Sequence, residues 1–135
     1  MPTSRVQLAI DVTDLDAAIA FYGALFDAAP AKRRPGYANF QIADPPLKLV
    51  LIEGAHGGTL THLGVAGGAT AAVVEAADRL PARGLATDER RAEDCCYATQ
   101  DKVWVTDPDG APWEVYTVLA DAPHAGTEPS ACCPA

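Results

Sequence analysis

Four cysteines stand in two adjacent pairs, Cys95 with Cys96 and Cys132 with Cys133. Thiolates bind soft ions, and two neighbouring thiolates can hold one such ion together. Small secreted scaffolds usually spread their cysteines to staple distant loops, whereas a bond between neighbouring cysteines closes a strained ring. We therefore expect free thiols whose chemistry is soft-ion binding. The alternative for Cys95 and Cys96 is a pair of small buried hydrophobes.

Three other polar residues stand in strand-like apolar segments, namely Gln7, His62 and Glu114. Imidazole is a common metal ligand, and a carboxylate without a partner inside apolar surroundings would cost several kcal/mol, so an inward Glu114 needs a cation. An amide oxygen such as that of Gln7 is a weaker ligand. Each residue has an ordinary alternative: a histidine satisfied by the backbone, a carboxylate facing outward and an amide facing water.

The elements that would position these residues form one unit repeated twice. In the first unit, Arg5–Val12 is predicted to be a strand, and Thr13 to cap a helix with Asp16 three positions later. That helix should end before Pro30. Its apolar face is formed by Leu15, Ile19, Tyr22 and Phe26. Two more strands are predicted at Tyr37–Ile42 and Leu47–Ile52, joined across Asp44-Pro45-Pro46.

The second unit repeats this order. Thr61–Val65 is predicted to be a strand, and Thr70 can cap a helix that ends before Gly84. The apolar face of that helix is formed by Val73, Ala77 and Leu80. The remaining segments are Cys95–Thr99, a strand Lys102–Thr106, the turn Asp107-Pro108-Asp109-Gly110 and a strand Pro112–Leu119.

Laid over each other, the two units bring matching positions together. Gln7-Leu8-Ala9-Ile10 matches His62-Leu63-Gly64-Val65, and Lys48-Leu49-Val50-Leu51 roughly matches Trp113-Glu114-Val115-Tyr116. The sequence thus predicts one domain over residues 1–120, built from modules at about 5–55 and 60–119. Residues 121–135 are rich in Ala, Pro, Gly, Thr and Ser without an apolar period, which predicts a mobile tail.

Composition narrows the class of protein. Eighteen acidic and ten basic residues give a formal charge of -8 without a block of one sign, which argues against nucleic acid or an anionic membrane as a partner. The chain has no apolar run long enough to span a membrane and no signal-peptide pattern, so we expect a cytoplasmic protein. Small molecules, or a second copy of the chain in a homodimer, are the expected partners.

Several segments carry a resemblance to a known family. DLDAAIAFY (Asp14–Tyr22), DPDG (Asp107–Gly110) and Trp113-Glu114 resemble the glyoxalase, bleomycin-resistance and extradiol-dioxygenase superfamily, also called vicinal oxygen chelate proteins, over about residues 5–119. The segments KRRPGYANF (Lys32–Phe40), GTLTHLGV (Gly58–Val65) and CCYATQDKVWV (Cys95–Val105) resemble its carbon-arsenic lyase branch. A cadmium-induced protein family is similar along the same segments.

The resemblance implies an α+β fold in which two βαβββ modules form a cupped mixed sheet around a divalent metal. Gln7, His62 and Glu114 would be its ligands and would act in catalysis through it. Three protein ligands leave positions open for dioxygen and substrate, as oxygen-activating iron(II) requires. The position in the first unit that corresponds to Glu114, around Leu49 and Val50, is apolar. A four-ligand glyoxalase site is therefore disfavoured. Manganese, cobalt and nickel suit the same ligand types.

The activity implied is iron- and oxygen-dependent removal of organic groups, methyl or aromatic, from trivalent arsenicals such as methylarsenite, with arsenite released. Cys95 and Cys96 would hold the arsenical, because trivalent arsenic prefers thiolate and such a compound has two exchangeable hydroxyls. The polar stretch before them, Asp88–Asp94, would be a mobile arm that swings the arsenical toward the metal. Cys132 and Cys133 would be accessory thiols or part of an unselected tail.

Other assignments stay open. The aromatic residues of the second unit would line the cup or form simple core, namely Tyr97, Trp104, Trp113 and Tyr116. His56 and His124 are expected to face solvent. A rival of another class is a protein that sequesters cadmium or other soft metals through all four thiols without chemistry. A third is a module that binds a large cationic drug and gives resistance without catalysis.

Overall fold

The computed structural model of the protein describes residues 4–95 and 97–122. It divides into two compact units, one of residues 5–61 and one that begins at His62. Each unit is a four-stranded sheet with one helix, as follows.

The first unit contains β1 (Arg5–Val12), α1 (Leu15–Phe26), β2 (Lys32–Arg34), β3 (Tyr37–Ile42) and β4 (Leu47–Glu53). The strand order is β2-β3-β4-β1, with β1 and β4 parallel and the other neighbours antiparallel. A parallel pair needs a long crossover between its strands, which α1 and the β2-β3 hairpin provide.

The second unit contains α2 (Thr70–Ala82), β6 (Thr87–Cys95), β7 (Ala98–Thr106) and β8 (Pro112–Asp121), with β5 (Leu60–Ala66) leading into it. The strand order is β5-β8-β7-β6, with β5 and β8 parallel and the other pairs antiparallel. It therefore repeats the strand-helix-three-strand order of the first unit. The predicted α+β class with two βαβββ modules is confirmed.

Helix α1 begins one residue later than the predicted cap implies. The side chain of Asp14 accepts a hydrogen bond from the backbone N–H of Ala17, so Asp14 rather than Thr13 is the N-cap. The helix ends at Phe26, before Pro30 as predicted, and Asp27 follows in the left-handed conformation. The predicted apolar face, Leu15, Ile19, Tyr22 and Phe26, packs on the core formed by β3 and β4.

Helix α2 shows a similar one-residue difference. Thr70 is its first residue and Ala69 its N-cap, and the hydroxyl of Thr70 donates to Asp101 instead of to the helix backbone. The predicted face is confirmed, because Ala77 and Leu80 pack against Val73 and the β7 residue Val103. Gly84 follows the helix end with φ +86°, a conformation that favours glycine.

Strand β6 corrects the prediction of a mobile arm before the cysteines. Residues Thr87–Cys95 pair antiparallel with β7, with a bulge between Arg90 and Glu93. Its charged side chains pair among themselves, for example Arg90 with Asp88 at 2.8 Å and Arg91 with Glu89 at 2.6 Å. The polar composition that indicated a loop is that of an outermost strand whose side chains reach water. The short β2 was also not predicted.

The end of the described chain is longer than the predicted domain. β8 continues to Asp121, and the N–H of the buried Ala122 donates to the carbonyl of Tyr97 at 2.9 Å. Residues 121 and 122 thus belong to the folded unit rather than to the predicted tail. The remaining tail residues, including His124, Cys132 and Cys133, lie outside the described residues.

Candidate metal centre

His62 lies in β5 and its side chain is almost completely buried, 3% exposed. Its Nε2 atom lies 2.8 Å from Oε2 of Glu114. Its Nδ1 atom is buried and has no hydrogen-bond partner among the described residues. The alternative in which a backbone group satisfies this histidine is therefore wrong, because the imidazole contacts a carboxylate.

Glu114 reaches His62 because their strands are parallel neighbours. β5 and β8 pair with Gly64 opposite Glu114, and both His62 and Glu114 lie on the sheet face that α2 does not cover. Glu114 is 3% exposed, so the prediction of an inward carboxylate is confirmed. An inward carboxylate needs a cation, as anticipated from its apolar strand.

Lys102 supplies that cation in the structure. Its side chain is completely buried, and its Nζ atom lies 3.0 Å from Oε1 of Glu114. Burial raises the pKa of Glu114, but the hydrogen bond from His62 and the charge of Lys102 outweigh it, so this pKa lies below its ordinary value. The carboxylate is thus held ionised inside the unit.

The aromatic residues of this face surround the cation. Lys102 Nζ lies 5.5 Å from the ring centroid of Trp104 and 6.0 Å from that of Tyr116. Trp104 also meets His62 edge-on, with ring centroids 5.3 Å apart. Of the four predicted aromatic residues, Trp104 and Tyr116 are buried here, while Tyr97 and Trp113 are half-buried. Two of them therefore form the wall of the His62–Glu114 pair.

The spacing of the pair is that of the hydrogen bond from His62 to Glu114, and it also permits both side chains to bind one ion. Two donor atoms about 2.1 Å from a metal and at right angles to each other lie about 3 Å apart. The His62 Nε2 to Glu114 Oε2 distance of 2.8 Å agrees with that spacing. An imidazole nitrogen and a carboxylate oxygen are also the donor types that divalent iron and manganese accept. These two residues therefore fit a divalent metal.

Gln7, the third predicted ligand, lies in the first unit. It is buried in β1, on the face opposite α1, with Lys48 as its cross-strand neighbour in β4. In that unit Val50 stands opposite Ala9, as Glu114 stands opposite Gly64 in the second. The position that matches Glu114 is therefore the apolar Val50, and the first unit lacks the equivalent carboxylate.

Within residues 4–95 and 97–122, no group of three or more His, Cys, Asp and Glu side chains is assembled to hold a metal ion. A site built on His62 and Glu114 therefore needs a third ligand of another type, such as an amide, or water. His56 is exposed, as predicted.

Cys95 differs from the prediction of a free thiol in a loop. It is the last residue of β6, 1% exposed, and it is disulfide-bonded. Cys96, Cys132 and Cys133 lie outside the described residues. The side-chain amide of Gln100 donates to the Cys95 carbonyl at 2.9 Å. The expectation that sequence neighbours stay reduced was based on ring strain, and the structure has Cys95 oxidised.

Cys95 and Glu114 lie at different ends of the same sheet. Cys95 pairs with Ala98 and Glu114 with Trp104, so six residues of β7 separate them. At about 3.3 Å per strand residue this is roughly 20 Å. An ion held at Cys95 in this conformation is therefore remote from the His62–Glu114 pair.

Neither helix of the described chain is long and apolar enough to cross a membrane.

The fold and the buried His62–Glu114 pair indicate the class of protein to which the chain belongs. Residues 5–115 match the model of the glyoxalase/bleomycin resistance protein/dioxygenase superfamily, and the chain belongs to that superfamily.

Two relatives and one solved structure are similar to this chain over most of its length. The chain is 61% identical over 127 residues to the cadmium-induced protein CadI of Mycobacterium tuberculosis, covering 93% of this chain and 84% of that one. It is 60% identical over 133 residues to a trivalent organoarsenical cleaving enzyme of Thermomonospora curvata, covering 96% and 88%. A homoprotocatechuate 2,3-dioxygenase structure from B. fuscum has the same fold, with a TM-score of 0.65 at 18% identity over 90% of this chain and 34% of that one.

Proposed function

We propose that this protein is an iron(II)- and oxygen-dependent carbon-arsenic lyase that removes methyl or aryl groups from trivalent organoarsenicals and releases arsenite. The observation that carries the proposal is the buried His62–Glu114 pair, whose donor atoms lie 2.8 Å apart. An imidazole nitrogen and a carboxylate oxygen are donor types that divalent iron accepts, which supports a metal at this pair. The 60% identical relative named as an organoarsenical cleaving enzyme supports the substrate class.

In this proposal Gln7, His62 and Glu114 hold the metal. Iron(II) would supply the redox and dioxygen chemistry, which protein side chains lack. The chain's own groups hold the metal and keep water away, since His62, Glu114 and Lys102 are all buried. The resemblance of the sequence is what supports Gln7, whose amide oxygen would be the third donor. Its role is tested by Gln7→Leu, which should lower iron affinity without unfolding the second unit.

Cys95 and Cys96 bind the trivalent arsenical in this proposal, so the Cys95 disulfide has to be reduced first. The separation of roughly 20 Å from Glu114 along β7 then requires the tip of the β6-β7 hairpin to move. Register shifts lie at both sides of that tip, between Arg90 and Glu93 and between Thr99 and Gln100. Cys132 and Cys133 are proposed as accessory thiols that capture the arsenical.

Cadmium sequestration is the second candidate, because a 61% identical relative is named a cadmium-induced protein. Sequestration would use the thiols and leave the His62–Glu114 pair without a role. A location in the cytoplasm, where thiols stay reduced, suits both candidates.

Oxygen uptake separates the two candidates. Reduced, iron-loaded protein is mixed with methylarsenite in air-saturated buffer, and dissolved oxygen is followed with an electrode. The lyase consumes oxygen when methylarsenite is added, and Cys95→Ser and Cys96→Ser lose that uptake. Tight cadmium binding with no arsenical-dependent oxygen uptake would reject the lyase in favour of sequestration. Cadmium added to the same sample is the control, since it binds thiols but offers no bond to cleave.

A further inference from the structure

Lys102 is a buried cation whose position is fixed on three sides. It is completely buried in β7, although lysine is rarely so unless it is paired. Its Nζ atom lies 3.0 Å from Glu114 Oε1, 5.5 Å from the ring centroid of Trp104 and 6.0 Å from that of Tyr116. The ammonium group is therefore confined beside one oxygen of Glu114.

The two oxygens of Glu114 meet different partners. Oε2 lies 2.8 Å from Nε2 of His62, whereas Oε1 lies 3.0 Å from Nζ of Lys102. A metal that shares His62 Nε2 meets Oε2 first, and Oε1 is already engaged. The carboxylate is thus oriented before any metal arrives.

We infer that Lys102 is a positioning residue that holds Glu114 so that only Oε2 is offered to a metal. This inference rests on the proposed metal site of His62 and Glu114. A carboxylate that binds through one oxygen occupies one coordination position, and one that binds through both occupies two. Holding Oε1 therefore keeps open a position that dioxygen or substrate needs.

The charge of Lys102 and its positioning role predict different coordination of a bound metal. A cation beside a divalent metal repels it, so removal of the charge alone would tighten metal binding and leave the coordination number unchanged. A residue that holds Oε1 instead limits Glu114 to one coordination position, and its loss lets both oxygens bind. The coordination number of the bound metal therefore separates positioning from a bystander charge.

The experiment uses Co(II), which suits the same donors and has visible absorption bands that report coordination number. The full-length, reduced protein is compared with Lys102→Met and Lys102→Gln. Both variants are neutral, but only the glutamine keeps an N–H donor for Oε1. Arg90→Met is the matched control, because Arg90 stands opposite Lys102 in the β6-β7 register and pairs with Asp88 and Glu93 instead of Glu114. Urea unfolding of each metal-free variant verifies that it is folded.

We expect the Co(II) complex of Lys102→Met to show weaker visible bands than that of wild type, as a higher coordination number gives. Lys102→Gln should recover part of the band intensity, and Arg90→Met should match wild type. Unchanged bands in Lys102→Met, whatever its affinity for Co(II), would overturn the inference.

A Glu114→Gln variant keeps the inference separate from the proposed function. If its Co(II) spectrum equals that of wild type, Glu114 is no ligand and both proposals fail. If Glu114→Gln alters the spectrum and Lys102→Met does not, the metal site stands and only the positioning role of Lys102 fails.

Discussion

At the level of single residues, the candidate site depends on a carboxylate that stays ionised without water. Glu114 is buried between His62 and Lys102, and its pKa is lowered although burial alone raises it. An ionised carboxylate is what a divalent metal binds, so in the proposed site Glu114 is already in its binding form. His62 would contribute the second donor atom, which lies 2.8 Å from the first.

The lowered pKa of Glu114 predicts how stability depends on pH. A group whose folded pKa is depressed stabilises the fold above its unfolded pKa, and that stability is lost as pH falls through the folded pKa. The metal-free protein should therefore lose stability below about pH 4.5, where the unfolded carboxylate starts to take up a proton. Glu114→Gln should be less stable than wild type at neutral pH, but its stability should decrease less than that of wild type as the pH is lowered. Urea unfolding between pH 3 and 7 measures both, and parallel pH profiles would contradict the prediction.

His62 and Glu114 could be chosen from sequence because the resemblance to a metal-binding superfamily implied ligands on these strands, and because a carboxylate in an apolar strand needs a cation. Lys102 was missed, since a lysine in a sequence usually indicates a side chain that reaches water. The signal that could have found it is alternation, because Lys102 shares one face of its strand with the buried Trp104. The role of Gln7 as a ligand stays a prediction.

At the level of elements, the apolar helix faces were predicted correctly and the edge strand β6 was missed. The apolar faces of α1 and α2 were predicted because burial imposes a helical period on the sequence. Strand β6 was missed because its outward side chains are charged and pair with one another, as in Arg91 with Glu89. A strand at the sheet edge carries little apolar pattern, so composition alone resembles a loop.

The cap of α1 can be tested directly. Asp14 accepts the N–H of Ala17, while the neighbouring Thr13 makes no such bond to the helix. Asp14→Ala should therefore lower the free energy of unfolding by about 1 kcal/mol. Thr13→Ala is the matched control and should change stability by less than about 0.5 kcal/mol. Urea unfolding at neutral pH measures both, and equal losses would show that the cap is shared.

At the level of the whole molecule, the same module occurs twice, and within the described residues only the second copy carries the buried His62–Glu114 pair. The modules have the same order of elements, yet Val50 in the first stands where Glu114 stands in the second. The repeat could be predicted because each copy needs its own apolar helix face and strands. Sequence could not predict the oxidised state of Cys95, since the bonding of a cysteine depends on its neighbours in space.

In the proposed function, the His62–Glu114 pair holds the metal for arsenical cleavage. The direct test loads reduced protein with iron(II) without oxygen, adds methylarsenite, admits air and follows arsenic speciation over time in wild type and in His62→Ala. Arsenite is expected to appear only when iron, oxygen and His62 are all present. Arsenite formation by His62→Ala at the wild-type rate, or none from wild type under any of these conditions, would contradict it.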